Sequence, residues 1–294
     1  MDQAYLRAHP EHLPTFLTHQ RIRETPVTGG SVSTASRLTL DDGTSVFAKT
    51  WPSGAAPEGF YAAEGRGLTW LRESRAVAVP EVIVALPSML ATEWIDPGSP
   101  TPQAATLLGR SLAALHRSGA DHFGADWAGF IGPLPLDNTP HPGPWGAWFA
   151  ERRLQPYLRM SVDRDALTAS DVAQLDHVIA ALAASADPEP PSRTHGDLWP
   201  GNILWSAAGE AWLIDPAAQG GHRETDLANL ALFGGAPHLD HIVGAYQEAY
   251  PLADGWRARI PLHQLHLLLV HTAAFGAGYR EAVRSAADAA REAV

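Results

Sequence analysis

The first third of the chain alternates short apolar runs with turn residues, a pattern typical of β-strands. In "RIRETPVTGGSVSTASRLTLDDGTSVFAKTW" the turn signals "TGG" and "DDG" separate three predicted strands. Residues 57–74 then place apolar side chains at helical spacing, and two further strands, "VPEVIVAL" and "SMLATEWI", follow. The predicted order is therefore three strands, one helix and two strands.

The pattern changes after "DPGSPTP" (96–102), which is the predicted linker. Apolar residues now recur at helical spacing, as in the first helix, where Leu107, Ser111 and Leu115 share a face and Gly119 ends the helix. The predicted helices are 102–119, 145–160, 168–186, 224–235, 238–250, 256–275 and 278–294, with an irregular Pro-rich segment at 132–144. We expect an α+β protein of two lobes. A small antiparallel-sheet lobe with one helix (1–95) is hinged to a larger, mainly helical lobe (96–294).

Composition narrows the functional classes. The 294 residues carry a formal net charge of −11, which argues against a non-specific nucleic-acid binder or a protein that binds anionic membranes. The chain has no cysteine, so disulfides, thiol nucleophiles and Cys-based metal sites are excluded. The N-terminus lacks the basic and apolar regions of a signal peptide, and the expected location is the cytoplasm.

The segment "RTHGDLWPGNILW" (193–205) concentrates polar groups in a short loop before a strand. Its core reads H-G-D-L-x-x-x-N, which differs from the protein-kinase catalytic loop only by Gly196 in place of Arg. Asp215 comes thirteen residues after Asn202, behind an apolar strand, where the metal-binding Asp of a kinase would fall. This spacing favours phosphoryl transfer, which needs carboxylates and Mg²⁺ ligands more than covalent chemistry.

Two further parts of such a site lie upstream. Lys49 follows the glycine turn at Gly29 and Gly30, and Glu64 lies on the next predicted helix. Each residue alone is ordinary, because strand lysines are often solvated and helix glutamates often exposed. Glu58 and Glu73 are alternatives to Glu64 as the partner of the lysine. All four parts nevertheless occur in the chain order that a kinase requires.

The chain also resembles the fructosamine kinases (ketosamine 3-kinases), within the aminoglycoside and choline kinase-like group. The resemblance runs from about residue 20 to 280 and is carried by "THGDLWPGN", "IDPAAQGGHRETDLANLALFGG", "FGADWAGFIGPLPLDN", "WGAWFAERRLQPYL", "LAALH" and "ATEWID". "HGDLWxGN" and "GHRExDLA" followed by "LFGG" are its most specific motifs. Pro200 and Gln219 depart from the usual family residues at their positions.

The resemblance implies a protein-kinase-like fold that uses ATP and Mg²⁺. Asp197 would be the catalytic base, and Asn202 and Asp215 the metal ligands. Lys49 would hold the α- and β-phosphates, with Glu64 orienting it. The implied nucleotide-binding set is completed by the turn and the linker between the lobes: Gly29, Gly30 and the backbone of Glu93, Trp94 and Ile95.

The implied acceptor is a ketosamine, free or attached to a protein lysine, and Trp199 could stack on its sugar ring. The pattern of Asp197, Asn202 and Asp215 alone also fits a kinase for another hydroxylated amine, such as an aminoglycoside or choline. A nucleotide-binding scaffold without catalytic activity is a third hypothesis, although every catalytic carboxylate is present. The sequence leaves the oligomeric state open.

Several other motifs favour structural roles. We expect "RETD" (223–226) to cap the helix that it opens, although it could orient the catalytic loop. His263, His266 and His271 lie on one helix without a carboxylate at the spacing of a zinc-binding helix, so they are interpreted as core or solvated residues. The tryptophans outside the motif that we assign to the core are Trp70, Trp145 and Trp148.

Overall fold

The computed structural model of the protein describes residues 1–19, 22–28, 32–141, 143–185 and 188–292. Its N-terminal part holds a five-stranded antiparallel sheet in the order β1-β2-β3-β5-β4. The strands are β1 (Arg23–Val27), β2 (Thr34–Thr39), β3 (Ser45–Thr50), β4 (Val82–Leu86) and β5 (Met89–Glu93). Strand β3 pairs with β5 so that Lys49 faces Leu90 across the ladder. The predicted strands and their order are confirmed.

Two short helices precede the sheet, α1 (Gln3–Ala8) and α2 (His12–Thr18), so the prediction of one helix in this lobe is wrong. Asp2 caps α1 by accepting a hydrogen bond from the Tyr5 N–H at 2.8 Å. Leu6 and Leu13 are fully buried in the apolar cluster of the sheet. Each helix has only one buried residue, and a single apolar position gives no helical period that a sequence pattern could reveal.

The predicted helix α3 (Phe60–Glu73) connects the sheet to the rest of the molecule. Leu68 and Leu71 are buried on its inner face. A Cβ atom at Gly67 would lie 3.2 Å from the Cβ of Ala218, which belongs to the segment after Asp215. The helix that carries Glu64 is therefore packed directly against the segment that carries the second predicted metal ligand.

The C-terminal part is mainly helical, as predicted. Its helices are α4 (Pro102–Arg117), α5 (Trp145–Phe149), α6 (Gln155–Asp163), α7 (Ala169–Ala183), α8 (Arg223–Asn229), α9 (Leu239–Ala249), α10 (Trp256–Phe275) and α11 (Arg280–Ala290). A π-helical turn, Ala150–Leu154, joins α5 to α6. Among these described residues, no helix combines the length and apolarity needed to cross a bilayer.

The inward face of α4 differs from the predicted one. Leu108, Leu112 and Leu115 are buried, whereas Leu107 is 54% exposed. Leu108, Leu112 and Leu115 have i, i+4, i+7 spacing, whereas the predicted set, Leu107, Ser111 and Leu115, has i, i+4, i+8 spacing; the two sets share only Leu115. Because Leu107 and Leu108 are adjacent, the sequence does not determine which of the two faces inward. In the structure, the packing of α4 against α9 determines the inward face.

Three small two-stranded sheets shape the C-terminal part. Strands β6 (Gly129–Ile131) and β7 (Leu134–Leu136) form a hairpin, so the segment 132–144 is not wholly irregular as predicted. Strand β8 (Ser192–Thr194) pairs with β11 (Gln219–Gly221), and β9 (Ile203–Trp205) pairs with β10 (Ala211–Leu213). These two pairings bring the loop at 195–202 beside the segment at 214–218.

Candidate active site

The loop after β8 is fixed by the side chain of His195, which is fully buried. Its Nε2 donates to the Ile214 carbonyl oxygen at 2.9 Å, and its Nδ1 accepts the Asp197 N–H at 3.3 Å. These two bonds select the neutral Nε2-protonated tautomer. Burial lowers the pKa of His195, which outweighs the opposite effect of the nearby Asp226 carboxylate. His195 therefore links the loop to the strand end that leads into Asp215.

Gly196 has a backbone conformation that disfavours any larger residue. Its φ is +80°, in the left-handed region. A Cβ atom there would lie 2.1 Å from the Ala217 carbonyl oxygen, far inside van der Waals contact. The loop therefore excludes the arginine that protein kinases have at this point of the motif.

Asn202 holds the predicted base in place. Its Nδ2 donates to the Asp197 carbonyl oxygen at 2.8 Å and to Asp197 Oδ2 at 3.1 Å. Pro200 opens a single 3₁₀ turn, Pro200–Asn202, which sets the orientation of the asparagine. The Pro and Gly between Asp197 and Asn202 thus bend the loop so that the two side chains meet.

Asp197 lies in an environment that disfavours its charged form. Burial and then the negative charge of Asp215 raise its pKa well above the usual range, while the hydrogen bond from Asn202 acts in the opposite direction. A carboxylate with a raised pKa is a better proton acceptor than a solvated one. The position suits a general base that acts on an acceptor hydroxyl.

Lys49 reaches from the sheet into the same site. Its Nζ donates to Glu64 Oε1 at 2.8 Å and also to Asp215 Oδ1. Burial alone would lower the pKa of Lys49, but the charges of Asp215 and Glu64 outweigh it and raise the pKa. Of the three glutamates on or beside α3, Glu64 is the one that forms this contact. The structure therefore brings together five of the predicted site residues: Lys49, Glu64, Asp215, Asn202 and Asp197. Asn202 links the two aspartates, because its Nδ2 also donates to the Asp215 carbonyl oxygen at 3.4 Å.

The free oxygens at this junction fit a divalent cation. Asp215 uses Oδ1 for Lys49, and Asn202 uses its amide nitrogen for Asp197, so one carboxylate oxygen and one amide oxygen remain. Hard oxygen donors of this kind suit Mg²⁺. Asp215 adopts φ +55°, unusual for a residue other than glycine, and such backbone strain clusters at functional sites.

The residues predicted to contact adenine already have partners within the protein at two of their polar groups. The Glu93 N–H donates to the Glu81 carbonyl oxygen at 2.9 Å and so is already engaged. The Trp94 indole N–H donates to Asp96 at 2.8 Å, and Ile95 is partly buried beyond β5. Gly29 and Gly30 lie outside the described residues. The nucleotide roles of these residues stay predictions.

Asp226 is a site residue whose role the sequence left undecided. His222, not Thr225 or Asp226, caps α8, because its side chain accepts the Glu224 N–H at 3.1 Å; the preferred capping interpretation of "RETD" is therefore wrong. Asp226, which is fully buried, accepts the N–H groups of His195 at 2.7 Å and Gly196 at 3.0 Å. Asp226 thus holds the backbone just before the base.

A third donor keeps Asp226 ionised. His116 on α4 directs its Nε2 to Asp226 Oδ2 at 3.2 Å, and its Nδ1 lies 2.9 Å from the Tyr246 hydroxyl. Burial alone would raise the pKa of Asp226, but the donors from His116 and His195 outweigh it and lower the pKa. His116 belongs to the motif "LAALH" and His195 to the motif "THGDLWPGN". The occurrence of a histidine in each of these family motifs was the sequence feature that could have indicated a shared partner for them.

Of the helix histidines, His263 and His266 are buried and His271 is partly buried, but a carboxylate does lie beside one of them. Glu224 Oε2 is 3.3 Å from His263 Nε2, although no acid is close in sequence. Arg259 also donates to both oxygens of Glu224, at 2.6 and 2.8 Å. A carboxylate held by a guanidinium fork favours a structural ion-pair network here over a metal site.

The tryptophans divide into two groups. Trp145 and Trp148 are buried in the helical core, as predicted, whereas Trp70 is only partly buried beneath the Arg193 guanidinium. Trp199 is also partly buried: its ring covers Gly201, and it meets the ring of Phe233 edge to face at 5.7 Å. Trp199 also packs against the apolar core of the helical part, so it lies beside the catalytic loop with only part of the residue exposed.

The site combines a buried lysine–glutamate pair, an aspartate before a bridging asparagine and a second aspartate after a strand. This is the arrangement of a phosphotransferase with a protein-kinase-like fold. The sequence profile of the fructosamine kinase family matches residues 7–291. The chain belongs to this family.

Individual relatives agree with that assignment. A Thermobifida fusca protein assigned as a fructosamine-3-kinase has a crystal structure with TM-score 0.87 and 50% identity, covering 92% of this chain and 94% of that one. The Arabidopsis thaliana chloroplastic protein-ribulosamine 3-kinase is 33% identical over 89% of this chain and 80% of its own length. A choline/ethanolamine kinase family protein from Mesorhizobium loti shares the fold alone, with TM-score 0.60 at 16% identity over 99% of this chain and 94% of that one. The predicted protein-kinase-like fold is confirmed.

Proposed function

We propose that the protein transfers the γ-phosphoryl group of ATP to the 3-hydroxyl of ketosamines. The observation that carries the proposal is the contact set of Asp197, Asn202, Asp215 and Lys49 within a fructosamine kinase family fold. In the reaction the acceptor oxygen forms a bond to the γ-phosphorus, the bond from that phosphorus to the β,γ-bridging oxygen breaks, and ADP leaves. Asp197 accepts the proton of the attacking hydroxyl.

Other residues bind the phosphates, position Asp197 and provide ligands for the metal ion. Lys49 holds the phosphates, and Glu64 keeps the lysine charged and directed into the site. Asn202 keeps the Asp197 carboxylate turned toward the acceptor, and Asp226 fixes the backbone before it. Mg²⁺ bound by Asn202 and Asp215 would neutralise the charge that develops on the phosphates.

The acceptor side supports a sugar with an attached amine. Trp199 lies two residues after the base, and its open ring surface can cover the carbon face of a sugar. The net charge of −11 favours the approach of a cationic amine over an anionic acceptor. Ketosamines combine both features.

The experiment is ADP release measured over fructosamine, ribulosamine, aminoglycoside and choline acceptors. We expect the highest kcat/KM with a ketosamine, and NMR of the product should place the phosphate on the 3-oxygen. Asp197→Asn should lower kcat by about 10²–10⁴-fold while ATP affinity stays nearly constant, because the base acts on the acceptor. Preference for an aminoglycoside or choline would refute the ketosamine assignment, and a variant with more than a tenth of the wild-type rate would remove Asp197 from the role of base.

A further inference from the structure

Five aromatic rings form a continuous patch that begins at the catalytic loop and runs out to the surface. We define the aromatic patch as Trp199, Phe233, His271, Phe275 and Tyr279. The Phe233 ring lies 5.7 Å from Trp199, 4.6 Å from His271 and 6.2 Å from Tyr279. Phe275 extends the patch, at 5.6 Å from His271 and 6.3 Å from Tyr279. The rings come from four separate elements: the catalytic loop, the turn after α8, the end of α10 and the 3₁₀ turn Ala277–Tyr279 that precedes α11.

Core packing does not account for this arrangement. Phe233 is 42% exposed and Phe275 is 52% exposed, so both rings leave much of their apolar surface in water. Phe233 also has φ +52°, a left-handed conformation that costs a phenylalanine free energy. Gly234 and Gly235 continue the turn with φ values of +98° and +79°. An exposed ring kept in a strained conformation beside a catalytic loop points to ligand binding.

The five residues of the aromatic patch include no aspartate, glutamate, lysine or arginine. Burial lowers the pKa of the His271 imidazole in the patch, and its Nδ1 donates to the Leu267 carbonyl oxygen at 2.7 Å. The neighbouring Arg280 directs its guanidinium to Asp171 at 2.7 Å. The surface therefore suits an aromatic or bulky apolar group better than a charged one.

We propose that the aromatic patch binds the substituent on the amine nitrogen of the acceptor and gives the enzyme a preference for ketosamines made from aromatic or bulky apolar amines. This inference rests on the proposed ketosamine kinase function. In a ketosamine the amine is attached to carbon 1, two carbons from the 3-hydroxyl that Asp197 would deprotonate. A sugar placed between Asp197 and Trp199 directs its amine substituent away from the base, and the patch continues outward from Trp199.

The test compares two synthetic acceptors, N-benzyl and N-methyl 1-amino-1-deoxyfructose, by kcat/KM in the full-length protein. We expect wild-type protein to prefer the benzyl compound by about five- to tenfold, in keeping with one or two aromatic contacts. Phe233→Gly should bring this ratio close to one. Glycine suits the backbone of this turn, so the variant removes the ring without new strain. Phe275→Ala should lower the ratio by a smaller factor.

Leu107→Ala is the matched control, because Leu107 is as exposed as Phe275 but lies on α4, outside the patch. It should leave the ratio and both rates unchanged. A wild-type ratio near one, or a ratio that Phe233→Gly does not change, overturns the inference and leaves the proposed function intact. Turnover of neither ketosamine overturns the proposed function and this inference with it. A dimer that Phe275→Ala dissociates without changing the ratio assigns the patch to self-association and also overturns the inference.

Discussion

Replacing Asp226 with asparagine tests whether this buried carboxylate positions the catalytic base. Asp226 accepts the His195 N–H at Oδ2 and the Gly196 N–H at Oδ1, so each oxygen has its own backbone donor. An asparagine has one acceptor oxygen and one NH₂ group, so at least one of these N–H groups loses its partner. A buried, unsatisfied N–H costs about 1–3 kcal/mol, and the lost charge-assisted bond contributes at a similar level. We expect Asp226→Asn to lower the free energy of unfolding by about 3 kcal/mol, or about 6–12 °C in Tm.

The kinetic effect should be larger than the stability loss alone explains. Gly196 is the residue directly before Asp197, so a shift of its backbone displaces the base. A displacement of about 1 Å costs on the order of 10²-fold in rate. We expect kcat for a ketosamine to fall by about 100-fold, with nucleotide Kd within about threefold of wild type, because the described contacts of Asp226 include neither Lys49 nor Asp215.

Asp171→Asn is the matched control. Asp171 is also buried and also accepts a backbone N–H, that of Thr168 at 2.7 Å, and its partner Arg280 donates at 2.7 Å. It caps α7, away from the site, so its loss should reduce Tm while kcat stays within about twofold. If Asp226→Asn lowers Tm but leaves kcat within threefold of wild type, Asp226 does not position the base.

Three further predictions concern Asp215, Trp199 and His263. Asp215→Ala should abolish the dependence of nucleotide affinity on Mg²⁺, and an unchanged Mg²⁺ titration would make Asp215 only a partner for Lys49. Trp199→Ala should lower kcat/KM for a ketosamine by on the order of 1–3 kcal/mol with a smaller effect on ATP affinity; parallel losses of kcat/KM, ATP affinity and Tm would instead show a packing role. Burial lowers the pKa of His263 to about 4, so the unfolded chain binds a proton that the folded one does not between about pH 6.5 and 4. Stability should therefore fall by about 3 kcal/mol from this residue as the pH drops through that window, and urea titrations at several pH values should show a shallower fall for His263→Gln.

The sequence predicted which residues the structure brings together at the candidate site, where these residues keep a fixed order along the chain. Lys49, Asp197, Asn202 and Asp215 each belong to a short local pattern, and phosphoryl transfer demands these residue types in that order. Local patterns also predicted β1 to β5 and the long helix α10, because each buries a regular face. The short helices α1 and α2 have one buried residue each and so left no periodic signal.

The role of Asp226 could not be read from local sequence. Its partners His195 and Gly196 lie about thirty residues away, and they meet it only because α8 packs beneath the loop. The residue types of α8 give one indication of such a role when they are considered together with its burial. Every residue of α8 is buried, although the helix includes Arg223, Glu224 and Asp226. Charged residues are rarely buried without partners, so a polar helix in a motif that also contains buried histidines indicates an internal hydrogen-bond network.

Gly196 and Asp226 together explain how this loop works without the arginine of protein kinases. The loop runs so close to the Ala217 carbonyl that a side chain at position 196 is excluded. The same absence of a side chain lets the Gly196 N–H reach the Asp226 carboxylate at 3.0 Å. Asp197, the proposed base, is therefore positioned by the Asp226 carboxylate on α8, which binds the loop backbone just before it, together with the loop side chains of His195 and Asn202. Substitution of Asp226 in the "GHRETDLA" helix should thus affect catalysis although the residue lies outside the catalytic loop, since it helps to define where the Asp197 carboxylate lies.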